Sequence, residues 1–260
     1  MKLLDKNAIV FGCNGKISQA ICKKLSEEGC KLLVTDLKKE KANNFASELK
    51  NAVGLYVDVR SEKNIREAIE FAIKKYNKVD FVVNCSRVAL FKETIEFTEN
   101  EWDTIIDFNA KSMYFIAKAV LKNMIENKYG AIIGLTSKTA ISGPANLSAY
   151  SASMNASIGF LRSLSCEVRN NNIRVNAVCP GFIEHEELLL GAELTNNAPP
   201  DEGIYIQFSP LINVASEPEA IANLVAFLLS KEGEFITGQT YSLWDDDLTY
   251  YRNLGQMAEF

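Results

Sequence analysis

The sequence is poor in histidine and proline, and it contains no long apolar run. Its 260 residues include one histidine, His185, and six prolines. A zinc site usually needs clustered cysteine and histidine ligands, and the six cysteines include no CxxC pair, so we expect no metal site. A membrane-spanning helix needs about 18 or more consecutive apolar residues. Because no such run occurs, we expect no membrane partner.

Basic residues are fewer than acidic residues in this sequence. Lysine and arginine total 28 against 33 aspartate and glutamate residues, which gives a net charge of −5 at pH 7. A nucleic-acid partner needs a basic surface that neutralises phosphates, so this class of function is excluded. Asp5 and Lys6 interrupt the first residues before an apolar targeting segment can form, which predicts a cytoplasmic protein with reduced thiols.

What the sequence does have is the composition of a globular domain. Hydrophobic residues make up 47% and charged residues 23% of the chain. Stretches rich in proline, serine or glycine that would mark a linker are missing, so residues 1–260 are predicted to form a single domain. Residues 184–210 form the one long irregular stretch, which we interpret as a substrate lid, and residues 248–260 form a C-terminal tail.

Short apolar runs alternate with helical patterns along most of the chain. The predicted strands are residues 8–11, 31–36, 53–59, 79–84, 131–137, 173–179 and 239–244. The predicted helices include residues 61–76, 99–127, 148–169 and 218–229. This alternation predicts an α/β fold with a doubly wound, mostly parallel seven-stranded sheet of the Rossmann type and helices on both faces. Ligands of such sheets bind beyond the carboxyl ends of the strands.

The loop after the first strand has the features of a nucleotide site. Its candidate binding residues are Gly12, Asn14, Gly15, Lys16 and Ile17. Backbone N–H groups there and the following helix N-terminus can bind a pyrophosphate, although a tight turn without a ligand would use the same residues. Asp36 ends the second strand, where a carboxylate accepts hydrogen bonds from ribose hydroxyls and repels a 2′-phosphate. NAD(H) is therefore favoured over NADP(H), although Lys16 could meet the extra phosphate.

Further motifs make the chain similar to the short-chain dehydrogenase/reductase family. The pair Asp58 and Val59 resembles the family's Asp-Val pair at the adenine. Asn84 begins the sequence Asn-Cys-Ser-Arg, a divergent copy of the family's Asn-Asn-Ala-Gly motif. Pro180, Gly181 and Ile183 resemble the turn whose backbone meets the nicotinamide amide. The resemblance runs nearly end to end, since residues 235–239 are close to the family's C-terminal signature.

This resemblance implies an NAD(P)-dependent oxidoreductase that acts on a carbonyl or alcohol of a small metabolite. It also implies a homotetramer or homodimer formed through the two long helices around Met113 and Met154. Three of the family's four catalytic positions are kept, at Asn109, Ser137 and Tyr150. By resemblance, Tyr150 is the acid, Ser137 bonds the carbonyl oxygen, and Asn109 holds a water against a kinked helix. The plainer interpretations are a helix-face aromatic, a polar strand end and a helix-interior amide.

Met154 occupies the fourth catalytic position, one helical turn after Tyr150. The family has lysine there, and its cation lowers the tyrosine pKa, holds the nicotinamide ribose and passes protons to solvent. Methionine does none of these. A free tyrosine has a pKa of about 10, so roughly one thousandth is ionised at neutral pH. Alcohol oxidation needs tyrosinate and carbonyl reduction needs protonated tyrosine, so we expect impaired or reduction-biased catalysis.

Two other classes of function stay open. Departures from the family at Phe11, Ser18, residues 85–87 and Met154 would suit a catalytically silent member that senses a cofactor or serves as a partner subunit. A dehydration, epimerisation or isomerisation could use His185 as acid or base, although an exposed loop histidine is the plainer interpretation. The acidic residues 245–247 are either a solvated turn or a divalent-cation site.

Overall fold

A parallel sheet of seven strands forms the centre of the molecule. The computed structural model describes residues 1–181, the backbone of residues 189–190 and residues 217–243. The seven strands are β1 (Asn7–Phe11), β2 (Lys31–Asp36), β3 (Ala52–Tyr56), β4 (Phe81–Asn84), β6 (Gly130–Leu135), β7 (Ile173–Cys179) and β9 (Thr240–Ser242). Their order is β3-β2-β1-β4-β6-β7-β9, and every neighbouring pair is parallel. The strand order therefore reverses between β1 and β4, which is where doubly wound sheets bind ligands.

Eight α-helices are present in the described residues. They are α1 (Lys16–Glu27), α2 (Lys39–Ser47), α3 (Glu62–Tyr76), α4 (Glu99–Ile106), α5 (Ser112–Asn127), α6 (Thr139–Ser142), α7 (Ser148–Val168) and α8 (Pro218–Leu229). Local sequence fixes several of their ends. Thr98 and Glu101 form a capping box at the start of α4, and the Ser61 hydroxyl accepts a hydrogen bond at the start of α3.

The helices cover both faces of the sheet, because successive strand residues point to opposite sides. In β1, Ile9 and Phe11 belong to the apolar core beneath α3, α5 and α7. Ala8 and Val10 belong to the core beneath α1, α2 and α8. All four residues are at most 1% exposed, so neither face of this strand meets solvent. The predicted α/β class with helices on both faces is confirmed.

The structure differs from the sequence prediction within the long helix predicted over residues 99–127. A π-helix at Asp107–Lys111 separates α4 from α5. Short π-helical turns are frequent at functional sites, and this one contains Asn109. A second, two-stranded parallel sheet was also not predicted; it pairs β5 (Val88–Ala89) with β8 (Leu189–Leu190). Two residues are too short for a detectable pattern, which is why the sequence did not reveal these strands.

A membrane-spanning helix needs a long apolar stretch. Among the residues that the structure describes, no helix is long and apolar enough to cross a membrane. The predicted lid at residues 184–210 lies outside the described residues except for the backbone of 189–190, and the tail at residues 248–260 lies outside them entirely.

Candidate active site

The glycine loop connects the carboxyl end of β1 to the N-terminus of α1. Gly12 has a φ of 77°, and a Cβ added there would lie 2.8 Å from the Ser86 Oγ and 2.9 Å from the Ser86 Cα. Only glycine fits this contact between the loops that follow β1 and β4. The N–H groups of Gly12 and Cys13 both donate to the Thr35 carbonyl, at 3.0 Å. These two residues therefore shape the loop.

The start of α1 is the part of the loop suited to a pyrophosphate. Gly15 is the N-cap residue, and it caps the helix without a side-chain hydrogen bond. Lys16 and Ile17 follow as the first helical residues, and the helix macrodipole adds positive potential at this point. Burial raises the pKa of the neighbouring Cys13 thiol to about 12, so it stays neutral. The arrangement fits an anionic diphosphate group of a dinucleotide.

Asp36 lies at the carboxyl end of β2, beside the glycine loop. Its Oδ1 accepts a 2.9 Å hydrogen bond from the N–H of Lys38. Burial raises the pKa of this carboxyl group, and the bond from Lys38 acts in the opposite direction. A half-buried carboxylate here can accept hydrogen bonds from ribose hydroxyls and disfavours a phosphate in the same place.

The side chain of Asp58 forms hydrogen bonds with Arg60, a contact that the sequence did not predict. Arg60 Nε donates to Asp58 Oδ1 at 3.0 Å, and Arg60 Nη2 donates to Asp58 Oδ2 at 2.8 Å. Burial acts to raise the pKa of Asp58, but the hydrogen bonds from Arg60 outweigh it and hold the pKa below its usual range. Val59 is 2% exposed. Both carboxylate oxygens of Asp58 are thus occupied by Arg60, and its expected contact with adenine stays a prediction.

Asn109 holds three elements together through its side chain. Its Oδ1 accepts from the Val88 N–H, and its Nδ2 donates to the Val88 carbonyl and to the Ser153 Oγ, each at 2.8 Å. Its backbone carbonyl accepts from the Ser157 hydroxyl at 3.2 Å. The amide thereby links the π-helix, β5 and α7, and both of its N–H groups are used. The water-ordering role expected for Asn109 stays a prediction.

Ser137 and Tyr150 lie on two segments that are bonded to each other. The Ser137 Oγ accepts from the N–H and the hydroxyl of Thr139, at 3.2 and 3.0 Å, which leaves its own hydroxyl hydrogen to be donated. Asn155, five residues after Tyr150 on the same helix, donates from Nδ2 to the Ala140 carbonyl of α6. Tyr150 itself is 3% exposed. The structure therefore puts the serine on the segment that packs against the tyrosine's helix.

Met154 is packed into the apolar core on the sheet face covered by α7. It is 1% exposed and belongs to the same cluster as Tyr150 and Ile158. Two serines of α7 form hydrogen bonds with the backbone of the same helix. The Ser153 hydroxyl donates to the Tyr150 carbonyl at 2.7 Å, and the Ser157 hydroxyl donates to the Ser153 carbonyl at 3.1 Å. The helical spacing of 150, 153 and 157 was available in the sequence and could have revealed these serines.

The nicotinamide end of the predicted site is described in part. Asn84 is 3% exposed, and its Oδ1 accepts from the Ser86 N–H at 3.1 Å. The Pro180 carbonyl accepts from the Lys138 N–H at 3.2 Å, and Gly181 is half-buried. Ile183, His185 and the acidic residues 245–247 lie outside the described residues. Elsewhere in the described part of the chain, no group of histidine, cysteine and carboxylate side chains is arranged to hold a metal ion.

Comparison with known proteins gives matches over nearly the whole chain. The family that matches residues 14–243 is described as enoyl-(acyl carrier protein) reductase. The 3-oxoacyl-(acyl-carrier-protein) reductase of Rickettsia felis is 32% identical over 240 residues, covering 92% of this chain and 95% of that protein. The protein of the same name from Chlamydia muridarum is 30% identical over 246 residues, with 93% and 96% covered. Its counterpart in Thermotoga maritima is 28% identical over 247 residues, with 94% and 98% covered.

Proposed function

The chain belongs to the short-chain dehydrogenase/reductase family and is an NAD(P)-dependent oxidoreductase, and on that premise we propose that it reduces a carbonyl group of a small metabolite. The observation that carries the proposal is the hydrogen bond from Asn155 of α7 to the Ala140 carbonyl, which joins the helix of Tyr150 to the segment that follows Ser137. When bound, the nicotinamide cofactor supplies the two-electron reductant. The relatives are named for 3-oxoacyl substrates, which supports a ketone as the reducible group.

Tyr150 and Ser137 have different roles at the carbonyl oxygen of the substrate. Ser137 donates its hydroxyl hydrogen to that oxygen, because its Oγ already accepts two bonds from Thr139. Tyr150 donates the proton that completes the alcohol. Asn109 acts on this pair indirectly, through its bond to Ser153 in the turn after Tyr150.

We infer that Met154 makes the reaction slower than lysine would and changes its pH dependence. A buried methionine supplies no cation, and in this proposal Tyr150 acts as a protonated acid. That is the form carbonyl reduction requires. The equilibrium constant fixes the ratio of kcat/KM in the two directions at any one pH, so the missing cation shows itself in the pH dependence of the rates.

The cofactor binds across β1, β2 and β4 in this proposal. The first turn of α1 holds the pyrophosphate, Asp36 holds the adenosine ribose, and Val59 lies at the adenine. The loop of Asn84 and the turn of Pro180 lie at the nicotinamide. Because the carboxyl group of Asp36 can accept hydrogen bonds from the ribose hydroxyls and disfavours a 2′-phosphate, NADH is the preferred form in this proposal. Its site of action in the cytoplasm remains a prediction from the sequence.

The test is a direct assay of reduction. Purified protein is mixed with NADH or NADPH and with ethyl 3-oxobutanoate, a 3-oxobutanoyl thioester and cyclohexanone, and the absorbance at the nicotinamide band is followed. We expect slow oxidation of NADH by at least one ketone, faster than with NADPH, and loss of that activity in Tyr150→Phe. Tight NADH binding without turnover on any ketone would contradict the proposal and favour a cofactor-binding subunit that lacks catalysis.

A further inference from the structure

Two hydroxyl side chains, Ser137 and Thr139, form a bonded pair after the carboxyl end of β6. The Thr139 hydroxyl donates to the Ser137 Oγ at 3.0 Å, and the Thr139 N–H donates to the same oxygen at 3.2 Å. Both residues are half-buried, so the pair is partly shielded from water. The oxygen of Ser137 therefore accepts two hydrogen bonds from one neighbouring residue.

The backbone on both sides of this pair is held by neighbouring elements. The N–H of Thr136 donates to the Val178 carbonyl of β7 at 2.8 Å. The side chain of Asn155 in α7 donates to the carbonyl of Ala140, the residue after Thr139. A β-branched threonine also has few rotamers to choose from. The hydroxyl of Thr139 is thus presented to Ser137 from a fixed place, and the bond costs little conformational entropy.

The two bonds from Thr139 determine what the hydroxyl of Ser137 can still do. A serine hydroxyl has one hydrogen to donate and two lone pairs that accept. Thr139 uses both lone pairs, so the capacity that is left is donation of the Ser137 hydrogen. Hydrogen bonds in a chain polarise one another, so the donors at this oxygen make its O–H group a stronger donor. A stronger donor stabilises more of the negative charge that develops on a carbonyl oxygen during reduction.

We propose that Thr139 is a positioning residue that directs and strengthens the hydrogen bond from Ser137 to the carbonyl oxygen of the substrate. The inference rests on the proposed carbonyl reduction and names the residue that gives Ser137 its direction. A purely structural role, in which the two bonds only hold the start of α6, makes a different prediction. It predicts that loss of the Thr139 hydroxyl lowers stability and has no effect that depends on Ser137.

Steady-state kinetics of ketone reduction separate the two roles. Thr139→Val keeps the shape and the N–H of the residue and removes its hydroxyl, whereas Thr139→Ser keeps the hydroxyl. We expect Thr139→Val to lower kcat roughly 3- to 10-fold, the loss typical of one neutral hydrogen bond, with little change in KM. Thr139→Ser should restore most of the rate. The matched control is Ser142→Ala in the same helix, which removes a 3.2 Å bond to the Lys138 carbonyl and should leave kcat unchanged.

A double-mutant cycle shows whether Thr139 acts through Ser137. In a Ser137→Ala background, Thr139→Val should cause no further fall in kcat, because the threonine hydroxyl has no serine left to direct. If Thr139→Val lowers kcat by the same factor with and without Ser137, the inference is overturned. It is also overturned if Ser142→Ala lowers kcat as much as Thr139→Val does, since both would then act through the stability of α6.

Infrared spectroscopy of a bound ketone tests the same bond without turnover. The probe is ethyl 3-oxobutanoate, isotopically labelled at its ketone carbon and bound together with NAD⁺, which has no hydride to transfer. A weaker hydrogen bond raises the stretching frequency of a carbonyl group. The ketone band should therefore lie higher in Thr139→Val than in the wild type and stay in place in Ser142→Ala. An identical band in the wild type and Thr139→Val contradicts the inference. A band that responds to Thr139→Val in a protein that reduces no ketone supports the inference and contradicts the proposed function.

Discussion

The bond between Arg60 and Asp58 is a single-residue feature with a clear pH signature. The pKa of Asp58 is held below its usual range, so the pair stabilises the fold above the unfolded-state pKa of about 3.9 and loses this contribution as the pH falls through the folded-state pKa. Arg60→Met should lower the free energy of unfolding by up to about 1 kcal/mol at pH 7, since the pair is partly solvated. Urea unfolding from pH 7 to pH 3 measures this. If the difference in unfolding free energy between the wild type and Arg60→Met stayed constant down to pH 3, Asp58 would not be the group through which Arg60 stabilises the fold.

Asn109 gives a second prediction at this scale. Asn109→Ala leaves the buried Val88 N–H and carbonyl without their side-chain partners, and we expect a loss of about 2 kcal/mol or more in unfolding free energy. Asn123→Ala is the matched control, because the Asn123 Oδ1 accepts a hydrogen bond from the Val79 N–H at 3.0 Å. Both variants should be less stable in thermal unfolding. Only Asn109→Ala should also raise the KM for the ketone, since only its partners adjoin Tyr150; an equal KM effect in both variants would contradict the positioning role.

Individual residues were predicted from the sequence with uneven success. The residue types at Ser137, Tyr150 and Met154 follow a spacing that is visible in the sequence, so the resemblance to the family could be found from it. The hydrogen-bond partners of the site residues could not be predicted from the sequence. Arg60 lies two residues from Asp58, and the three bonds of Asn109 go to Val88 and Ser153, but the sequence alone does not show which way a side chain turns. Side-chain partners depend on packing that forms only in the fold.

Among the elements, α7 carries Tyr150, the proposed proton donor, and packs against the core. It packs so closely on β6 that a Cβ added at Gly134 would lie 2.5 Å from the Leu161 Cδ1 and 3.3 Å from the Met113 Sδ. Both neighbours are about 1% exposed and have little room to move. Gly134→Ala should therefore cost about 1 to 3 kcal/mol by overpacking and should lower the rate of ketone reduction by displacing α7.

The control for this prediction lies on the same helix. A Cβ added at Gly159 of α7 meets nothing within 4 Å, so Gly159→Ala should keep the activity and slightly raise the melting temperature. Thermal unfolding and ketone reduction are measured for both variants. If Gly134→Ala were as stable and as active as the wild type, the close packing of α7 on β6 would not position Tyr150.

The sequence predicted elements well where a long pattern exists. The bounds of α8 and β7 agree with the predicted ranges 218–229 and 173–179. The π-helix at Asp107–Lys111 was missed, because one extra residue per turn hardly changes an apolar period over five residues. The pairing of β5 with β8 was missed because it joins segments about 100 residues apart in the sequence.

At the scale of the whole molecule, the outer surface of α5 and α7 carries an aromatic group. Tyr114 is 44% exposed, and its ring lies 5.6 Å from that of Phe115 and 6.2 Å from that of Phe160. Exposed aromatic groups of this kind mark contact surfaces between proteins, which supports the predicted homodimer or homotetramer through these two helices. Met113 and Met154 are 1% exposed and belong to the core, so their neighbours would form the contact.

Analytical ultracentrifugation tests this assembly. Tyr114→Glu should shift the protein toward the monomer, because it buries a charge in the contact. Phe71→Glu is the control, since Phe71 is similarly exposed, at 37%, but lies on α3. A protein that is already a monomer as wild type, or one whose assembly responds equally to both substitutions, would rule out the surface of α5 and α7.

The central claim is that a family member with methionine in place of lysine at position 154 reduces carbonyl groups through Tyr150. The pH profile of kcat/KM for ketone reduction tests it most directly, measured for the wild type, Met154→Lys and the uncharged control Met154→Leu. A cation beside a tyrosine favours its ionised form by about 1 to 3 pH units. We predict that the alkaline fall in rate moves down by that amount in Met154→Lys and stays in place in Met154→Leu. A folded Met154→Lys protein with an unchanged profile would contradict the account.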